Sequence, residues 1–293
     1  MSHPKIHIGK SLHHDEKLWR YMGIEKLVCL LHERKLYFTP LSHFKETDPY
    51  EGYIPKTALH QIITNLQFIR AASVEHIKDE IRKFHDYEDN PEYMRIIKEY
   101  ESDDITIVKT VQQVVSSTTV NCWHCNQFES EAMWGLYSRQ GIAIQTSVKS
   151  LTDSLHLTDN SLNISIGRVK YLDFNSAEND MASCLTDDGH TLGMIKRESY
   201  AHEKEVRLIA SRNFKINGLA SLKSEPIMIS ADVEKLIEKI YVSPYASTAM
   251  EHCITYICEK YGIPKEKICK SKLLTGHDEL FDIFQNNPST KSP

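Results

Sequence analysis

The sequence predicts an α+β fold: a mixed sheet core of short strands with helices in no strict alternation, one domain over 1–293 with a helical insertion at 57–115. Three observations predict it. β-Branched and aromatic runs closed by turn residues recur along the chain, as in Leu36-Tyr37-Phe38-Thr39 before Pro40. Apolar residues at helical spacing lie between them, the first being Ile24, Leu27, Val28 and Leu31. The 293 residues, 41% apolar and 26% charged, have the composition of a globular chain able to bury a core.

In order, Leu18 to Met22 reads as a first strand, 24–31 as a helix and 36–39 as a strand. Asp48-Pro49-Tyr50-Glu51-Gly52 is a turn, because Pro fixes φ and Gly permits φ > 0. Within 57–115, Val74, Ile77, Ile81 and Phe84 form one helical stripe and Tyr93, Ile96, Ile97 and Tyr100 another. Glu75 to Asp104 holds eleven acidic and five basic residues, against a whole-chain charge of −5, so this insertion is acidic and the remainder near neutral. Strands follow at 120–123 and 141–146, with a short helix at 129–137 between them. A strand is expected at 168–172, a helix from Met194 to Glu205 and a strand at 206–209. The C-terminal part reads as helix (233–240), strand (241–243), helix (250–261, stopped at Gly262-Ile263-Pro264) and a last strand at 268–273, with a mobile polar tail at 286–293.

Composition excludes several classes. No window approaches the ~18 uninterrupted apolar residues of a membrane span. Met1-Ser2-His3-Pro4-Lys5 opens onto polar residues rather than an apolar signal core, so a soluble cytoplasmic protein without a membrane partner is expected. Seven cysteines, odd in number and irregular in spacing, fit reduced thiols better than a disulfide framework. Cys122-Trp123-His124-Cys125 is the one CxxC. Its nearest candidate partners are His252-Cys253 and Cys258, and no metal site is expected from it. Walker A, Rossmann, HExxH and GxSxG motifs are absent from the sequence.

Three segments hold more than core-building residues. Trp19-Arg20-Tyr21 places a cation beside two rings, either a grip for a phosphate-bearing ligand or a surface Arg beside core aromatics. Trp123, Glu129-Ser130-Glu131 and Trp134 to Ser138 supply two of the three tryptophans with carboxylates and hydroxyls, either a cleft wall or core anchors. In Tyr200-Ala201-His202-Glu203-Lys204-Glu205-Val206-Arg207, Glu203 and Glu205 share one face if the chain is extended. That pair is either a polarising carboxylate couple or a surface network neutralised by Lys204 and Arg207. A metal-dependent nuclease built on Asp48, Glu51, Glu203 and Glu205 is a further reading, with Mg2+ dependence as its signature.

Taken in order, Leu18 to Met22, Leu36 to Thr39, Asp48 to Gly52, Cys122-Trp123-His124, Glu129 to Trp134, Tyr137-Ser138, Gly141 to Ile144, Arg197 to Tyr200, His202 to Arg207 and Tyr241-Val242-Ser243-Pro244 resemble the domain-of-unknown-function 2971 family, which is mostly bacterial. More distantly, the order of basic-aromatic strand, second strand, hydroxyl-aromatic motif and late Glu-x-Glu resembles the ADP-ribosyltransferase superfamily. That resemblance implies an ADP-ribosyltransferase-like mixed sheet with NAD as substrate. It implies Glu205 on the nicotinamide ribose, Glu203 orienting the acceptor, and Arg20, Tyr21, Thr39, Trp123, Ser130, Trp134, Tyr137 and Ser138 around the dinucleotide. A carboxylate beside the breaking bond and a guanidinium on the pyrophosphate suit an oxocarbenium-like transition state. The implied setting is a bacterial toxin–antitoxin or phage-defence effector with a nucleic acid or protein acceptor and an antitoxin partner. Lys196 to Lys215, with six basic and three acidic residues, is a candidate contact for nucleic acid. The alternative is a non-catalytic nucleotide- or protein-binding module.

Overall fold

The computed structural model describes residues 6–83, 91–100, 104–190, 192–212 and 224–275. In chain order the elements are β1 (Ile6–Ile8), β2 (Lys17–Met22), α1 (Ile24–Glu33), β3 (Lys35–Pro40), α2 (Lys56–Ile81), α3 (Pro91–Tyr100), α4 (Asp104–Ser117), β4 (Thr119–Cys125), α5 (Glu131–Tyr137), β5 (Ile142–Ser147), α6 (Val148–Ser154), β6 (Leu155–His156), β7 (Leu162–Arg168), β8 (Lys170–Leu172), β9 (Ile195–Arg197), β10 (Glu205–Arg212), β11 (Ile227–Ala231), α7 (Val233–Leu236), β12 (Lys239–Val242), α8 (Thr248–Lys260) and β13 (Ile268–Lys270). Helix and strand are both substantial, about 40% and 26%, so the class is α+β with mixed strand directions. No helix among the described residues is long and apolar enough to cross a membrane.

Packing divides the chain into two compact units. The first takes the described parts of Met1–Glu16, Lys35–Cys125 and Leu155–Ala231, the second those of Lys17–Arg34, Asn126–Ser154 and Asp232–Pro293.

In the first unit, strands pair in the order β1-β7-β10-β4-β3-β11-β6, with β1 parallel to β7 and the other pairs antiparallel. β10 is flanked on both sides, by β7 over Val206 to Arg212 and by β4 over Glu205 to Ala210. Val206 and Leu208 are accordingly fully buried. The helices of 57–115 pack onto this unit. Ala58 and Leu59 of α2 join Ile54, Cys184 and Ile195, and Val115 of α4 joins Leu41 and Val120. The stripe read from the sequence turns inward at Val74 and Ile81, while Phe84 lies outside the described residues.

The second unit pairs β2-β5-β12-β13, antiparallel except for the last pair. Ser130 caps α5 by accepting from the Met133 N–H, and Ser247 caps α8 by accepting from Met250. Past α8, Gly262 takes φ 82°, the left-handed conformation that ends a helix at little steric cost.

Four sequence expectations are corrected. The run 168–172 is two strands, because at Val169 the partner changes: its N–H donates to Glu205 O and the next to Met194 O. Met194 to Glu205 is not helical. Ile195 to Arg197 pairs in parallel with β8, and a 3₁₀ turn follows over Glu198–Glu203, so sheet pairing overrides local helix preference. The 233–240 helix stops at Leu236, and Ile240 is buried as part of β12 instead. The last strand covers Ile268–Lys270 only. The tail at 286–293 lies outside the described residues, as do residues 213–215 of the basic stretch.

Candidate functional site

The first unit buries an ionic cluster against β10. In an antiparallel ladder, paired residues share a face; Glu205 pairs with His124 and Arg207 with Cys122, so Glu205 and Arg207 point the same way. Arg207 Nε and Nη2 each donate to Glu205 at 2.8 Å, a bidentate pair. Its Nη1 donates to Glu51 Oε1 at 2.8 Å and to Gly193 O at 2.6 Å. The Lys196 ammonium lies among three carboxylates, 2.5 Å from Glu203, 3.5 Å from Glu51 and 3.6 Å from Glu205. Three carboxylates thus meet two cations, and one negative charge is in excess.

Glu203 and Glu205 do share an environment, but not through extended chain. Glu203 ends the 3₁₀ turn and Lys204 takes φ 41°, and this left-handed residue swings Glu205 into β10. Lys204 itself is exposed, so the neutralising cation is Lys196 rather than Lys204, and the network is buried rather than superficial. The four carboxylates of the nuclease reading are also accounted for: Glu51, Glu203 and Glu205 surround an ammonium, and Asp48 pairs with Arg197. Among the described residues, no group of three or more His, Cys, Asp or Glu side chains is arranged to hold a metal ion.

Burial opposes the charge on Glu205, but Arg207 and Lys196 outweigh it and hold the carboxyl down at about 2. Burial likewise opposes the Lys196 charge, and attraction by Glu205, Glu51 and Glu203 raises its pKa above the usual 10.5. A depressed carboxyl contributes stability above its unfolded value, lost as pH falls through the folded one; a raised amine contributes stability below its unfolded value, lost as pH rises. Unfolding by urea is therefore expected to show a loss of stability between about pH 4.5 and 2 attributable to Glu205. A double variant R207M/E205M is expected to have the shallower acid slope. Equal slopes in the two proteins contradict this assignment.

A cavity of about 580 Å³ opens beside the cluster in the same unit, with Tyr50, Lys56, Asp173, Phe174, Arg197 and Glu198 in its wall. Lys196 and Arg197 are neighbours on β9; Lys196 reaches the buried carboxylates and Arg197 lines the cavity. The Arg197 guanidinium carbon sits 5.1 Å from the Tyr50 ring centroid and 5.4 Å from that of Tyr200, close enough for cation–π attraction. Its Nη2 donates to Asp48 Oδ1 at 2.7 Å and to Tyr200 Oη at 3.3 Å. The Lys196 ammonium lies 4.7 Å from the centroid of the Tyr200 ring, so this ring touches the cations of both the cluster and the cavity. The turn at 48–52 has the same two-sided role: Tyr50 goes to the cavity and Glu51 to the cluster. Tyr50 also meets Phe174 edge-on, with centroids 5.9 Å apart.

No family model, curated protein or solved structure matches the chain.

The other candidates named from the sequence are placed as follows. Thr39 is half-buried on β3, opposite Val120 of β4. Trp123 is 2% exposed, its indole N–H donating to Asn121 Oδ1 at 2.7 Å. The rest belong to the second unit. Tyr21 and Trp134 meet edge-on, with centroids 4.9 Å apart, and Trp19 lies 6.5 Å from Tyr21. Tyr21 Oη accepts from Ser130 N, and Trp134 Nε1 donates to Glu129 Oε2 at 2.9 Å. Ser138 is buried, its hydroxyl directed to the carbonyls of Met22 and Ile142, while Tyr137 is half exposed. Arg20 is half-buried between Trp19 and Tyr21 in sequence but on the opposite face of β2, so the cation and its two flanking rings do not form one grip. Arg20 and Glu205 fall in different units. Lys56 and Phe174 were not singled out from the sequence, and Lys196 and Arg197 entered only within the basic stretch and the Arg197 to Tyr200 motif. The signal available was the pair Lys196-Arg197, which on a strand sends two cations to opposite faces.

Proposed function

We propose that the first unit is a nucleotide-binding module whose ligand occupies the cavity at Arg197. The observation that carries this reading is the guanidinium held against two tyrosine rings at the wall of a cavity of about 580 Å³, within the ~300–1,000 Å³ of small-molecule sites. The wall supplies a partner for each part of a nucleotide. Arg197 and Lys56 suit phosphate, Asp173 and Glu198 suit the ribose diol, and Tyr50 and Phe174 suit a base. Two cations and two carboxylates give no net formal charge, which favours a ligand with both anionic and donor groups over a long polyanion. The resemblance to the ADP-ribosyltransferases makes NAD the dinucleotide to try first.

A second reading, ADP-ribosyl transfer from NAD, is favoured by the link from the cavity through Arg197, Tyr200 and Lys196 to the ionised Glu205. In that reaction the bond between ribose C1′ and nicotinamide breaks, nicotinamide leaves with the electron pair, and an acceptor nucleophile on nucleic acid or protein takes C1′. Glu205 would stabilise the developing positive charge and Glu203 would receive the acceptor proton. A toxin or phage-defence role is the setting that the resemblance suggests.

Titration calorimetry with AMP and with NAD tests the first reading. Micromolar to sub-millimolar binding is expected, reduced at least tenfold by Arg197→Ala, whose partly exposed side chain leaves the buried cluster intact. No binding of either probe, or binding indifferent to R197A, overturns it. Nicotinamide release, abolished by Glu205→Gln while NAD binding persists, separates the enzyme from the module.

A further inference from the structure

We infer that Asp48 is the positioning residue of the Arg197 site, an inference that rests on the nucleotide-binding reading above. Asp48 is 3% exposed and outside the cavity wall, yet one of its oxygens orients both halves of the clamp. Oδ1 accepts from Arg197 Nη2 at 2.7 Å and from the Tyr50 backbone N–H at 3.1 Å. The second bond closes a turn through Pro49 that aims the Tyr50 ring at the guanidinium. The Tyr50 ring and the Arg197 plane are thus referred to a single buried atom.

The pairing is also incomplete in an informative way. Asp48 Oδ2 and Arg197 Nε are both buried without a hydrogen-bond partner among the described residues. A side-on bidentate pair would satisfy both atoms at once. The guanidinium is instead held by one Nη2 contact and by the rings of Tyr50 and Tyr200. Buried polar atoms left unsatisfied in this manner mark places where geometry is set by something other than the strength of the pair. Here that something is the plane of the guanidinium at the cavity wall.

Orientation, not charge, is therefore what Asp48 supplies. Asn retains an Oδ1 that accepts from both donors, and Ala retains neither bond. With AMP as the calorimetric probe, D48A is expected to weaken binding about tenfold and D48N to restore it to within about threefold of the parent. Arg197→Lys, which keeps the charge and loses the planar fork, is expected to weaken binding as much as R197A. If R197A leaves AMP binding unchanged, the cavity reading itself fails. If R197A weakens binding while D48A or R197K does not, or while D48N fails to recover it, the cavity stands and the positioning role is overturned. R197K needs no change in the buried turn, so the test survives a D48A that does not fold.

Discussion

Arg207→Met is expected to lower the stability of the chain by about 3–5 kcal/mol, the usual consequence of removing one partner from a buried ion pair. The cost follows from what the guanidinium satisfies. It holds both oxygens of Glu205, one oxygen of Glu51 and the Gly193 carbonyl, at 1% exposure. Met fills a similar volume, so little of the loss comes from packing. It comes from leaving Glu205 and Glu51 buried with only Lys196 to offset them, so the excess negative charge of the cluster grows from one to two. R207M/E205M returns that excess to one and is expected to recover more than half of the loss, since charges and partners are then removed together. Urea midpoints followed by far-UV circular dichroism provide the comparison. A change below about 1 kcal/mol in R207M, or a double variant weaker than the single one, contradicts a cluster whose charges depend on one another.

The strands that were legible are those whose own residues alternate or carry β-branched and aromatic side chains: β2, β3, β4, β5 and β10. β1, β6 and β11 escaped because such short strands are defined by remote partners, as Ile6 to Ile8 is by Ile164 to Ile166. Met194 to Glu205 was misread because its charged residues fit a helical face, whereas Lys196 and Arg197 have partners that no local pattern reveals. Asp48 and Arg197 meet across 149 residues. At the candidate site, the Glu203 and Glu205 pair and its neutralisation by Arg207 were visible in eight consecutive residues. Glu51 was grouped with that pair only as a metal ligand, and the part Lys196 plays, supplied by another segment, was not visible. A strand at Leu18 to Met22 already puts Arg20 on the face opposite Trp19 and Tyr21, which favours an Arg beside core aromatics among the two readings the sequence left open.

Trp134→Ala is the other large expected effect, about 3–5 kcal/mol of destabilisation from deleting a buried indole. Trp134 is fully buried, against Tyr21, Met133 and Ala143 in the aromatic core of the second unit. Its N–H donates to Glu129 Oε2, an oxygen that also accepts from Ser271 Oγ at 2.6 Å. Two contributions therefore separate. Trp134→Phe keeps one buried aromatic ring while removing the donor and part of the indole's volume, and its expected cost is about 1–3 kcal/mol. The order parent, W134F, W134A in urea midpoint is what a core anchor produces. A cleft-wall tryptophan gives the opposite signature: W134A would leave the midpoint within about 0.5 kcal/mol of the parent and reduce NAD or AMP binding instead. Since Trp134 is itself fully buried, the first pattern is the expected one, and the ligand site proposed above lies at the cavity of the first unit instead.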